Sequence, residues 1–175
     1  VAEDFSFYEH RGIDFKSLLR AFLGDVYHRK LSQGGSTITQ QLIKNSFLSS
    51  EKTFTRKIKE VVLAIKIEKQ YTKEEILELY LNQIPYGSNA YGAEAAAQTF
   101  FNKKASELTL NEAALLAALP KAPSYYSPYG QNKEELIKRK DSVLERMLGV
   151  GFISSDEFEK AESEQLVFAR QRENI

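Results

Sequence analysis

The chain reads as an all-α protein, and three observations say so: only 4 prolines and 9 glycines in 175 residues, a series of Ser/Thr-x-x-Glu capping signals each followed by an apolar-periodic run, and no stretch of alternating residues long enough for a strand. Taken in order, Asp14 is placed to cap a helix over residues 15–30, and the turn Gly34-Gly35-Ser36-Thr37 opens a second over 38–45. Thr53 or Thr55 starts a longer helix reaching about Tyr71. Thr72 with Glu75 forms a capping box for a helix over 73–83, which Pro85 stops. Residues 86–92 read as a loop by their Gly, Ser and Asn content, ahead of an alanine-rich helix over 93–101. Thr109 with Glu112, Asn132 with Glu135, and Ser154 with Glu157 are three further capping boxes, opening helices over 111–119 and 133–148 and a last one running toward Gln165. A Pro- and Tyr-rich connection lies between, at 120–130.

Composition narrows the function. Hydrophobic residues make up 42% and charged residues 27%, enough to bury a core as one folded unit of ordinary size. Twenty-four basic side chains balance 24 acidic ones, so no overall field favours a polyanion and no nucleic-acid partner is expected. The absence of cysteine removes disulfides, thiolate catalysis and sulfur-rich metal sites. No apolar run approaches the roughly 18 residues that a spanning helix needs. The chain begins Val1-Ala2, without an initiator Met and directly before a dense polar-aromatic motif, from which an upstream segment is expected to have been removed.

Four groups of residues carry candidate chemistry. Glu3-Asp4, followed by Phe5, Phe7, Tyr8, His10 and Gly12, puts adjacent carboxylates in an aromatic setting suited to a general base, or else simply caps a helix. The run from Gly34 to Asn45 sets Ser36, Thr37 and open backbone N–H groups at a helix start, an arrangement that attracts anions; Thr37, Gln41 and Lys44 then recur at helical spacing. Along residues 54–71, Phe54, Ile58, Val61, Val62 and Ile65 form one apolar stripe and Leu63 and Ile67 a second, with Glu60 projecting between them beside Arg56 and Lys57. That carboxylate reads either as a surface ion pair or as part of a phosphate site at a cleft. Lys44, Lys52, Arg56, Lys57, Lys59, Lys66, Lys69 and Lys73 make this interval locally basic, which suits a pyrophosphate. Finally, residues 15–31 present an apolar face edged by Arg20, Arg29 and Lys30, readable as core packing or as a membrane-interface helix. His10 and His28 lack metal-ligand spacing, no nucleotide-type phosphate loop is present, and Ser36 lacks the setting of a serine nucleophile, so no metal site is assigned.

Together these stretches resemble the peptidoglycan glycosyltransferase domain, glycosyltransferase family 51, of class A penicillin-binding proteins and monofunctional glycosyltransferases. Residues 3–12 resemble its first motif, E-D-x-x-F-x-x-H-x-G, and residues 34–45 its second, G-G-S-T-I-T-Q-Q-x-x-K-N, without a substitution. Arg56, Lys57, Glu60, Ala64 and Glu68 are similar to the third, residues 76–82 to the fourth and residues 139–144 to the fifth. Lys140 stands where the family usually has a second Arg, and Phe100 where it often has Tyr.

The resemblance implies a lysozyme-like helical domain spanning residues 1–175, with a smaller membrane-facing lobe. An N-terminal anchor and a linked transpeptidase domain would lie outside this sequence. It implies polymerisation of lipid II at the extracytoplasmic face of the bacterial plasma membrane, with lipid II, the growing glycan strand, the membrane surface and a covalently linked transpeptidase domain as partners. Glu3 and Glu60 are the expected catalytic carboxylates. Ser36, Thr37, Gln41, Lys44, Asn45, Lys52, Arg56 and Lys57 are the expected substrate-binding residues, and Asp4, Phe7 and His10 shape the first motif. The phosphoglycolipid inhibitor moenomycin is expected to depend on Lys44. No cofactor is required, although a divalent cation (Mg or Mn) bridging phosphate oxygens and Glu60 is compatible with the chemistry. The rival readings are a lysozyme-like lytic enzyme, which has little use for the cations, and a non-catalytic module that binds lipid pyrophosphate.

Overall fold

The structure, a computed structural model, describes residues 2–15, 36–47 and 53–169. It resolves into two compact units: residues 3–83, and residues 84–175 together with the first two residues. Residues 16–30 of the predicted helix, His28, Gly34, Gly35 and Lys52 lie outside the described residues.

Residues 3–83 hold three described helices, α1 (Ile38–Phe47), α2 (Phe54–Gln70) and α3 (Lys73–Gln83), and α1 packs against both of the others. Thr53 caps α2 by accepting the Arg56 N–H, and the Thr72/Glu75 box caps α3 in both directions, at 3.2 and 2.8 Å. Phe7, Leu42, Ile43, Ala64, Ile76 and Tyr80 are buried between these elements. Gly12 lets the first motif approach α2. Its φ is +83°, and a Cβ there would sit 3.0 Å from the Ala64 carbonyl carbon and oxygen, so neither the torsion nor the space admits another residue without strain.

The face of α2 turned inward differs from the expected apolar stripe. Ile58, Val62 and Ile65 are exposed, while Glu60 and Ala64 are buried. Periodicity locates an apolar face, but here polar partners from α1 decide which side faces inward.

Residues 84–169 begin with a short antiparallel hairpin, β1 (Pro85–Gly87) and β2 (Ala90–Tyr91), where the sequence predicted only a loop. Ser88 and Asn89 both have positive φ, 50° and 58°, as a two-residue hairpin turn requires. Strands this short carry no readable period. Burial pushes the Tyr86 phenol up to about 12. There follow α4 (Ala93–Phe101), a 3₁₀ turn at Ala105–Glu107, α5 (Leu110–Ala118) with a second 3₁₀ turn at Leu119–Lys121, α6 (Lys133–Gly149) and α7 (Ser155–Ser163). The Thr109/Glu112 and Ser154/Glu157 boxes form as predicted. The Asn132/Glu135 box does not: the Asn132 side chain instead donates to the Tyr125 carbonyl, at 3.2 Å. Where α5 packs on α6, Leu115, Leu136 and Leu144 are completely buried, as is Leu119 in the turn that follows α5, each worth about 1.5–3 kcal/mol. The fifth motif lies on α6. Arg139 Nε donates to the Ala118 carbonyl at 3.0 Å, tying α6 to α5, and the buried Lys140 pairs with Asp141 at 2.6 Å. Phe100 is buried within the same unit.

Candidate active site

Every described candidate site residue belongs to the unit of residues 3–83, and α1 is the element to which they connect. Its N-terminus is not an open anion site. The Ile38 N–H donates to Asp4 Oδ2 at 3.0 Å. The Thr37 N–H reaches Gln40 Oε1 at 3.3 Å, and the Gln40 N–H returns to Thr37 Oγ1 at 3.2 Å. The protein's own carboxylate and a reciprocal Thr/Gln box therefore occupy the donors that the sequence left for an anion. Thr37 further donates its hydroxyl to the Gly12 carbonyl, at 2.9 Å, so its side chain is engaged within the fold. Asp4 is buried and also meets His10 Nε2, at 3.0 and 3.2 Å from its two oxygens. Phe7 packs edge-on to both Tyr8 and His10.

Glu3, half-buried next to Asp4, accepts from Gln41 Nε2 at 3.4 Å, and the same amide's Oε1 accepts from the Tyr80 hydroxyl at 3.4 Å. Residue 40, one position before Gln41, faces the third motif. Lys57 Nζ lies 3.4 Å from Gln40 Oε1, 2.8 Å from Ser36 Oγ and 3.0 Å from Glu60 Oε2. Arg56 Nε stands 3.1 Å from the other oxygen, Glu60 Oε1, without the alignment of a hydrogen bond. Glu60 is thus a buried carboxylate between two cations, one of which is also held by α1. The surface-pair reading fails on the burial of that carboxylate, 2% exposed. Lys44 and Asn45 are exposed further along α1.

A second buried ionic group escaped the sequence reading. Glu68 accepts from Thr39 Oγ1 at 2.5 Å and pairs with Lys73 at 2.6 Å, and the Lys73 ammonium lies 4.4 Å from the centre of the Phe7 ring. Lys73, counted in the basic interval, is therefore turned into the fold, whereas Lys59, Lys66 and Lys69 are exposed. The period-four spacing of Thr39 and residue 43, or of Glu68 and Thr72, gives no hint of this. The contacts join residues 29 and 5 apart from three elements.

Among the described residues no three His, Cys, Asp or Glu side chains converge, and both Glu60 oxygens already face cations. Among the described residues, too, no helix is long and apolar enough to cross a membrane.

Comparison with known proteins bears on the family of the chain. A sequence model of the family described as Transglycosylase matches residues 1–148. The chain is 50% identical over 171 residues to penicillin-binding protein 1A of Aquifex aeolicus, covering 98% of this chain and 23% of that one. It is 50% identical over 166 residues to penicillin-binding protein 1A of Escherichia coli, covering 95% and 19%. The crystal structure of penicillin-binding protein 1A from Haemophilus influenzae superposes with a TM-score of 0.52 at 34% identity, over 77% of this chain and 17% of that one. The helical architecture accordingly corresponds to the lysozyme-like fold that the motifs implied, and the chain spans about a fifth of the length of these relatives. On the match over residues 1–148 and these identities, the chain belongs to the transglycosylase family, as a peptidoglycan glycosyltransferase domain of the class A penicillin-binding protein type.

Proposed function

We propose that the domain polymerises lipid II into glycan strands. Glu3 removes the proton from the 4-hydroxyl of the acceptor GlcNAc, and the freed oxygen forms a bond to the anomeric carbon of the strand's terminal MurNAc. The bond from that carbon to the pyrophosphate breaks on the opposite face. Its electron pair leaves with undecaprenyl pyrophosphate, and the new link is β-1,4 with inversion. Arg56 and Lys57, with Lys44 and Lys52, neutralise the departing charge, each such contact being worth about 3 kcal/mol in a water-excluded site. Glu60 orients Arg56 and Lys57. Ser36, Gln41 and Asn45 hold sugar or phosphate oxygens.

The observation that carries this reading is the single helix α1. One of its glutamines contacts Glu3, and the adjacent one contacts the ammonium that is paired with Glu60. A lytic enzyme has little use for a cation pair held by the helix that also holds the base, and a silent binding module has no use for the base. A divalent cation (Mg or Mn) would be held by Glu60 and the phosphate oxygens, where it would help to neutralise the departing charge. We place the reaction at the outer face of the bacterial plasma membrane, with a transpeptidase domain in the same polypeptide. The relatives' greater length and their penicillin-binding names support that placement.

The test is incubation with purified lipid II, following glycan length and released undecaprenyl pyrophosphate. Lengthening strands that Glu3→Gln abolishes, with lipid II binding retained, are the expected result. Polymerisation by Glu3→Gln at the parental rate removes Glu3 from its role, and shortening of preformed glycan selects the lytic reading.

A further inference from the structure

We propose that Tyr80 is a positioning residue for the general base, acting through Gln41. The inference rests on the assignment of Glu3 above and deepens it. Tyr80 is buried on α3, and its hydroxyl donates to Gln41 Oε1 at 3.4 Å while Gln41 Nε2 donates to Glu3 Oε2 at 3.4 Å. A side-chain amide has one accepting end and one donating end. If Gln41 were turned over, its oxygen would face the carboxylate oxygen of Glu3, acceptor against acceptor. A hydroxyl donor on Oε1 selects the orientation in which the NH₂ group faces Glu3. The carboxylate is then held by a directed donor.

The three residues come from the first motif, α1 and α3, so the hydroxyl ties α3 to α1 and the amide ties α1 to the segment that carries Glu3. Both contacts are long for hydrogen bonds, which fits a network that tightens as substrate binds. Tyr80 itself exchanges no proton with substrate. Its contribution is the geometry of the base, which registers in turnover and not in substrate affinity.

The experiment compares lipid II polymerisation by the parent with that of Tyr80→Phe, Gln41→Ala, the double variant and Glu3→Gln. Phenylalanine keeps the buried ring, and circular dichroism melting verifies that the fold persists. Tyr80→Phe is expected to lower kcat about tenfold while KM stays within about twofold. In the Gln41→Ala background the same change is expected to have no further effect on kcat. Parental kcat in Tyr80→Phe overturns the proposal even when Glu3→Gln is inactive, and so does an undiminished Tyr80→Phe effect in the Gln41→Ala background. A rise in KM with kcat preserved also overturns it, since that would make Tyr80 a binding residue. An active Glu3→Gln instead refutes the base assignment, and with it this route of action, so the two failures are told apart.

Discussion

Asp4 is the residue whose removal has the most legible cost. Its buried carboxylate accepts the Ile38 N–H at the start of α1 and meets His10 Nε2 at 3.0 Å. Asp4→Ala deletes a helix cap, worth about 1 kcal/mol, and leaves the donors on Ile38 and His10 facing a space with no acceptor, which adds roughly 1–3 kcal/mol. The total is about 2–4 kcal/mol. For a chain of this size that lowers the thermal midpoint by roughly 5–15 °C. Asp4→Asn keeps one accepting oxygen, can still cap α1, and is expected to lose about half as much. Differential scanning calorimetry of the three proteins, with lipid II turnover measured below the lowest midpoint, provides the readout. Asp4→Asn should retain measurable polymerisation where Glu3→Gln does not. An unchanged midpoint for Asp4→Ala would refute the assignment of Asp4 as the cap of α1.

Two other outcomes follow from local geometry. Hydrogen bonds from the backbone N–H and then the hydroxyl of Ser154 hold the Glu157 carboxyl below its ordinary range. The stabilisation from this cap is therefore present above the carboxyl's unfolded value near 4.5 and is lost as pH falls through the lower folded value. Carbon-detected NMR titration should show Ser154→Ala moving Glu157 upward only part of the way, because the backbone donor survives. Gly12→Ala should destabilise by about 1–3 kcal/mol in urea unfolding, since both its φ of +83° and the 3.0 Å approach to Ala64 oppose a Cβ; stability equal to the parent would show that the loop relaxes freely.

What could be read from the sequence was what depends on neighbours in the chain. The boxes at Thr72, Thr109 and Ser154 involve residues three apart, and each forms. Asn132 carried the same local signal but was taken by Tyr125, seven residues away and brought near by the turn of the Tyr-rich connection. The hairpin at 85–91 was hidden because two strands of three and two residues show no alternation, although Gly87, Ser88 and Asn89 were its turn signal. At the site, Glu3, Asp4 and Glu60 stood out by type and motif. Their partners did not: Ile38 is 34 residues from Asp4, and Tyr80 is 39 from Gln41. The inward turn of Glu60 on α2 likewise follows from Ser36 and Gln40 meeting Lys57, contacts that no periodicity encodes.

The long-range cap on α1 also bears on how this unit comes together. A ten-residue helix is too short to persist alone in water, and here an acceptor for its first turn comes from 34 residues upstream, at the start of the unit's chain. Formation of this helix is therefore coupled to arrival of the first motif, and closing the chain between them opposes both. An excised peptide of residues 36–47 is expected to be random coil, and the candidate base acquires its amide partner only when the whole unit has folded.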